Sequence, residues 1–233
     1  IRRGYKPYAC IERSYSLSNK EIFCSLGGTL IEQLPDKSAF ESIQEWFADC
    51  DQKAIYLNQF NNIANLEGHK NETGGEIRRQ LDECYGSKVN VPNLCLVGGM
   101  GSGASLLGIG LALREHYGNE RVKVFAVQPQ GCDYEKGIFI AHKIQGIGLT
   151  KPNFLKLFPK LIDGYLSVSY EQSISAQHWL LLKTGLFAGI SSGANVAAAL
   201  HLHEQMLVDP QTLFLTLAYD SGIQYLERVG LSK

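Results

Sequence analysis

No charge of either sign is in excess in this sequence. Lysine and arginine number 22 against 23 aspartates and glutamates, a formal net charge of -1. That balance gives no electrostatic reason to expect nucleic acid or an anionic membrane surface as a partner. A small-molecule ligand is expected instead. A membrane-spanning run is missing too. The longest strongly apolar stretch, from Trp179 to Val196, is broken by Lys183 and by a Gly/Ser cluster, so a soluble chain is expected. The six cysteines (Cys10, Cys24, Cys50, Cys84, Cys95 and Cys132) form no CxxC and no metal-ligand spacing. Reduced thiols of an intracellular protein are the reading this favours. There is no internal repeat, no low-complexity tract and no recognisable leader peptide. The chain begins at Ile1 rather than methionine, so its natural N-terminus is expected to have been lost.

What is present is enough for a substantial core. With 45% hydrophobic residues over 233 positions, one or two globular domains are expected. Apolar runs alternate with helical periods, the pattern of an α/β fold on a parallel sheet. Pro7 to Ile11 reads as a strand, and Ser18-x-x-Glu21 as a capping box opening a helix with Ile22, Phe23 and Leu26. Thr29 to Gln33 is the next strand. A helix after Asp36 carries Phe40, Ile43 and Phe47, and Ala54 to Leu57 returns to the sheet. The Asn-rich stretch from Asn58 marks a boundary between domains 1–57 and 58–233. Beyond it, strands are expected at Leu94 to Gly98, Val122 to Val127, Leu166 to Val168 and Thr212 to Leu217. Helices are expected at Gly74 to Cys84, Ala104 to Tyr117, Gln172 to Lys183 and Ser192 to Leu207. The irregular stretch from Pro129 to Pro159 is long enough to suggest a functional loop. Trp46 and Trp179 are expected in the core.

Two segments carry chemistry. Val97 to Ser105 (VGGMGSGAS) joins a strand to a helix. Glycines there let backbone N–H groups face an anion, and the helix N-terminus adds a favourable dipole. A phosphate site is one reading and a tight turn without ligand is the other. Gly99-x-Gly101-x-x-Ala104 also fits a relaxed dinucleotide fingerprint, but the following strand ends in Val127-Gln128 with no acidic residue for a ribose. Gly189-Ile190-Ser191-Ser192-Gly193 has the form of a hydrolase nucleophile elbow. An acid followed by a histidine is required downstream of it, yet both Asp209 and Asp220 follow His203, the last histidine. What remains is a Ser/Gly turn that either caps a helix or aims a hydroxyl at a ligand. His201 and His203 stand two apart on a helix and face different ways, so a shared metal is not expected.

Taken together these segments resemble the cysteine synthase and cystathionine β-synthase family. The match runs through Glu12 to Ser18, Gly27-Gly28-Thr29-Leu30, Gln59 to Asn65 with His69 and Thr73-Gly74-Gly75-Glu76-Ile77, His142 to Gly148 (HKIQGIG), Gly189 to Ala194 and, more loosely, Asp220-Ser221-Gly222. The resemblance implies a three-layer α/β/α fold with parallel-rich sheets, the second structural class of pyridoxal-phosphate enzymes, similar to tryptophan synthase β. It implies pyridoxal 5'-phosphate (PLP) as cofactor, its phosphate held by Gly101, Ser102, Gly103, Ala104 and Ser105, and its pyridine nitrogen met by Ser191 rather than Ser192. Gln59 and Gly146 would lie on the substrate side. Residues 1–57 would be the remainder of the smaller, mobile domain and 58–233 the larger, cofactor-binding one. The implied reaction is β-replacement on O-acetylserine, or a related β-substituted amino acid, with sulfide to give cysteine. Cystathionine β-synthase-like replacement is the alternative within the class, and a non-catalytic protein keeping the cofactor or partner surface is the alternative outside it. A homodimer is implied, in the cytoplasm or alternatively the mitochondrion.

Departures from the family pattern are Ala104 and Ser105 for its Gly-Thr, Ile63 and Gly75 for two prolines, Ile223-Gln224 after Ser221-Gly222, and a short loop between Gln128 and His142. In the family the Schiff-base lysine precedes the region that Gly4-Tyr5-Lys6 resembles. The expectation is therefore an N-terminally truncated chain with no catalytic lysine in its family motif, inactive in cysteine synthesis by itself.

Overall fold

The structure is a computed structural model that describes residues 4–11, 17–50, 54–150, 152–205 and 209–225. The chain divides into two compact units, Ile1–Leu57 and Asn58–Lys233.

In the first unit, β1 (Tyr8–Cys10) pairs in parallel with β2 (Thr29–Ile31), with Ala9 opposite Leu30. Between them runs α1 (Leu17–Ser25). Because α1 already begins at Leu17, Ser18 lies in its first turn and not at its cap. The expected apolar face is also largely open, with Ile22 and Leu26 both exposed. The capping box lies one helix later. Ser38 accepts from the Glu41 N–H and Glu41 bonds back to the Ser38 N–H, opening α2 (Ala39–Ala48). This reciprocal pair satisfies two of the free donors that every helix start leaves. Residues 54–57 form no strand. Ile55 and Leu57 are 73% and 75% exposed, so alternation of apolar residues there has no sheet face to bury, and the described residues of the unit run β-α-β-α. Glu12 to Ser16 lie outside the described residues.

The second unit is built on four parallel strands in the order β5-β4-β3-β6: β3 (Leu94–Gly99), β4 (Val122–Pro129), β5 (Gly164–Val168) and β6 (Leu213–Thr216). Side chains alternate across a strand, and β3 buries both faces. Leu94 and Leu96 join a core cluster with Leu106, Leu107, Ile109 and Leu113 of α5 (Ala104–Tyr117). Cys95 and Val97 turn to the other side, into a cluster with Ile190, Ala194, Ala198 and Leu202 of α7 (Ile190–Glu204). Helices thus cover both faces of a parallel sheet, the three-layer arrangement that such strands require. The other α-helices among the described residues of this unit are α3 (Ile63–Gly68), α4 (Gly74–Tyr85) and α6 (Tyr170–Thr184). A π-helical turn, His69–Thr73, joins α3 to α4, a feature the apolar periodicity did not signal. Trp179, on α6, is 42% exposed, and Trp46 is half-buried with its ring 4.9 Å from that of Tyr8. Neither tryptophan is a core residue.

Candidate cofactor site

Strand β3 ends at Gly99, and α5 begins after four intervening residues. Gly103 is its N-cap, with φ +87, a left-handed conformation that side chains resist. Its helix start has no side-chain cap. Ser102 Oγ accepts from the Ala104 N–H at 3.3 Å. The backbone N–H groups of Gly101, Ser102 and Gly103 donate no hydrogen bond among the described residues. Three N–H groups without a partner at a helix N-terminus are the kind of donor set that favours an anion.

This loop is fixed from two sides. Its Met100 carbonyl accepts from the Gly148 N–H at 3.1 Å and from the buried Tyr134 hydroxyl at 3.0 Å. Burial pushes the Tyr134 phenol well above its usual range, so it remains a donor at neutral pH. Gly148 is in turn held through its carbonyl, 3.2 Å from His142 Nε2. The stretch from His142 to Gly148 therefore lies directly against the β3–α5 turn. A Cβ on Gly101 would stand 2.7 Å from the Gly146 carbonyl oxygen, well inside contact distance. Gly101 and Gly146, far apart in sequence, are brought together.

The second wall is the start of α7. Asn195 is buried in that helix, its Oδ1 accepting from the Gly99 N–H at 2.8 Å and its Nδ2 donating to the Leu217 carbonyl at 3.1 Å. One turn earlier lie two serines with different duties. Ser192 Oγ accepts from the Tyr219 N–H at 2.7 Å and donates to the Tyr219 carbonyl at 3.0 Å. Ser191 is only 7% exposed, yet its hydroxyl has no hydrogen-bond partner among the described residues. Its oxygen is not among the fully buried polar atoms left without a partner, so the hydroxyl keeps contact with solvent and is available to a ligand's hydrogen-bonding atom. Ser105 lies in the first turn of α5, its Oγ 3.3 Å from the Tyr219 hydroxyl.

Gln59 stands in the turn before α3, exposed, its carbonyl accepting from Asn65 Nδ2 at 2.8 Å. That turn is tethered through Asn61 to Asn153 at 2.7 Å, and Pro152 lies beside Gly103. Among the described residues Gln59 makes no hydrogen bond to the glycine loop itself. Lys143, in the same stretch as Gly146, has its ammonium 5.4 Å from the Tyr170 ring centre. Among the described residues no cluster of histidine, cysteine, aspartate and glutamate is arranged to hold a metal, and no helix is long and apolar enough to cross a membrane.

The profile of the pyridoxal-phosphate dependent enzymes matches residues 2–217. The chain belongs to that family. Cysteine synthase A of Salmonella typhi is 33% identical over 240 residues, covering 96% of this chain and 69% of that protein. Among solved structures, an O-ureido-L-serine synthase superposes with a TM-score of 0.85 at 27% identity, over 99% of this chain and 70% of that one. An O-acetylserine dependent cystathionine beta-synthase from Helicobacter pylori gives 0.83 at 26% identity, over 97% and 71%. The fold is that of the second class of pyridoxal-phosphate enzymes, and PLP is the family's cofactor.

The residues present fit such a group. Three N–H groups at a helix N-terminus, free among the described residues, suit a phosphate, and the neutral Ser191 hydroxyl, without a partner among those residues, suits a pyridine nitrogen. Asn195, Tyr134 and Tyr219 were not singled out from sequence. An asparagine inside an Ala-rich helix is a signal that was there to read, whereas nothing local marks either tyrosine.

Proposed function

We propose that this chain carries the cofactor-holding part of a cysteine synthase-type enzyme, acting on O-acetylserine with sulfide to give cysteine. The observation that carries it is Ser191, a neutral hydroxyl on a buried residue at the start of α7 that has no hydrogen-bond partner among the described residues. In this reading Gly101, Ser102, Gly103, Ala104 and Ser105 hold the cofactor phosphate, and Ser191 donates to the ring nitrogen. When bound, PLP supplies an electron sink that makes an amino acid's α-proton removable and lets its β-substituent leave. A serine cannot hold that nitrogen protonated as a carboxylate would, so the sink is moderate and suits β-elimination and replacement. Asp220 is the carboxylate near the helix start, and it accepts from the Tyr225 hydroxyl at 2.5 Å. Gly146 and its stretch border the substrate and exclude water, and Gln59 binds the substrate carboxylate. Residues 58–233 form the cofactor-binding domain and 1–57 belong to the mobile one. A cytoplasmic homodimer completes the proposal.

The test supplies the family's lysine-bearing segment ahead of Ile1 and measures cysteine formed from O-acetylserine and sulfide by the PLP-loaded protein. Turnover that drops on Ser191→Ala supports the reading. A protein that retains PLP and consumes no O-acetylserine contradicts it. Faster consumption with homocysteine than with sulfide would move the assignment to cystathionine synthesis.

A further inference from the structure

Tyr219 lies just past β6, and both ends of it are held. Its N–H donates to Ser192 Oγ at 2.7 Å, while its carbonyl accepts from Ser192 Oγ and from the Gly189 N–H, each at 3.0 Å. Its main chain is therefore pinned to the start of α7. At the other end of the ring, the hydroxyl reaches Ser105 Oγ at 3.3 Å, in the first turn of α5. One side chain spans the two helix starts that form the candidate site. Ser105 has no other hydrogen-bond partner for its hydroxyl among the described residues.

The direction of the Ser105–Tyr219 bond follows from what sits in the turn. A phosphate carries only lone pairs, so Ser105 must donate its single proton to it. Ser105 can then only accept from the tyrosine. Burial raises the Tyr219 phenol above its ordinary range, which keeps it a donor through neutral pH. A hydroxyl that accepts one bond is polarised and donates the next more strongly.

We infer that Tyr219 is a positioning residue for the cofactor phosphate, its O–H donating to Ser105 and aiming the Ser105 hydroxyl at the anion held by the Gly101–Gly103 N–H groups. This rests on the reading of that turn as the phosphate site. Tyr219 makes no bond to the phosphate itself. Its effect passes through one oxygen atom, Ser105 Oγ.

The test is equilibrium dialysis of the 233-residue chain against PLP, against pyridoxal, and against PLP with inorganic phosphate as competitor. Tyr219→Phe keeps the ring and removes one oxygen. It should weaken PLP about fivefold, the scale of one lost hydrogen bond, and weaken competition by phosphate by the same factor. Pyridoxal, which has no phosphate, should bind as before. Ser105→Ala should also weaken PLP, and adding Tyr219→Phe to it should cost nothing more, because the relay is already cut. Equal losses for PLP and pyridoxal would show a packing role and overturn the inference. So would additive losses in the double variant. If Tyr219→Phe does not fold, Ser105→Thr decides, because it keeps the relay oxygen and must retain the preference for PLP over pyridoxal that Ser105→Ala loses. Failure of the unaltered chain to bind PLP or phosphate at all would be a different result, removing the phosphate site and this inference with it.

Discussion

Asn195 Oδ1 accepts the N–H of Gly99 at 2.8 Å, joining the last residue of β3 to the second turn of α7. The same side chain donates to the Leu217 carbonyl. One amide thus sets the distance between the turn that leads into α5 and the helix start that carries Ser191.

Asn195→Ala removes the side-chain partner of the buried Gly99 N–H and of the part-buried Leu217 carbonyl. The expected loss of stability is about 2–3 kcal/mol, read from urea denaturation with an unchanged slope. PLP affinity should fall as well, since the two walls lose their common reference. A variant of native stability would show that water replaces the amide at no cost.

Ser191 and Ser192 are neighbours whose substitutions should separate cleanly. Ser192→Ala removes the partner of both the Tyr219 N–H and its carbonyl, so stability should fall by about 1–2 kcal/mol. Ser191→Ala removes a hydroxyl with no partner among the described residues. Stability should stay within about 0.5 kcal/mol or rise slightly, while affinity for PLP and for pyridoxal should fall together. Thermal melts with and without PLP distinguish the two. A stability loss at Ser191 matching that at Ser192 would contradict the assignment.

Cys95 gives a pH dependence. It is buried on β3, and burial, with a smaller contribution from the Asp163 carboxylate, pushes its thiol up to about 12. In the unfolded chain a cysteine titrates near about 8.5. A group whose folded value is raised contributes stability that is complete below the unfolded value and disappears as pH rises towards the folded one. Stability should therefore decline from about pH 8.5 upward, by at most about 1.4 kcal/mol per pH unit from this thiol. Urea midpoints at three alkaline pH values measure it, and Cys95→Ala should flatten the decline. At pH 8 the exposed Cys24 and Cys84 should react with a thiol reagent while Cys95 reacts only on unfolding. Rapid modification of Cys95 in the folded chain would contradict the placement of β3.

The sequence was most legible where signals are local. Ala104 to Tyr117 has the same bounds as the expected helix, because glycines before it and Gly118 after it punctuate an apolar run. Strand β3 differs by one residue. Legibility ended where a residue's partner is distant. The bonds from Asn195 to Gly99, Tyr134 to Met100 and Tyr219 to Ser105 cross 96, 34 and 114 positions, and no window of sequence contains both ends. Residues 54–57 failed for the opposite reason, since a local β pattern has meaning only where a neighbouring strand receives it. At the site, the glycine loop and the helix start of α7 were readable as motifs. That Gly101 must lack a side chain because of Gly146, and that Ser191 is free while Ser192 is committed, needed the three-dimensional arrangement.

The most direct measurement is PLP binding to the 233-residue chain, followed by equilibrium dialysis with and without Gly103→Glu. Gly103 sits at φ +87 beside Pro152 and Leu107, and a glutamate there would add both strain and a negative charge at the anion site. The expected result is saturable binding, competed by inorganic phosphate and lost in the variant, with the circular dichroism of the folded chain unchanged. Equal PLP affinity in a folded Gly103→Glu chain would contradict the assignment of this turn as the phosphate site.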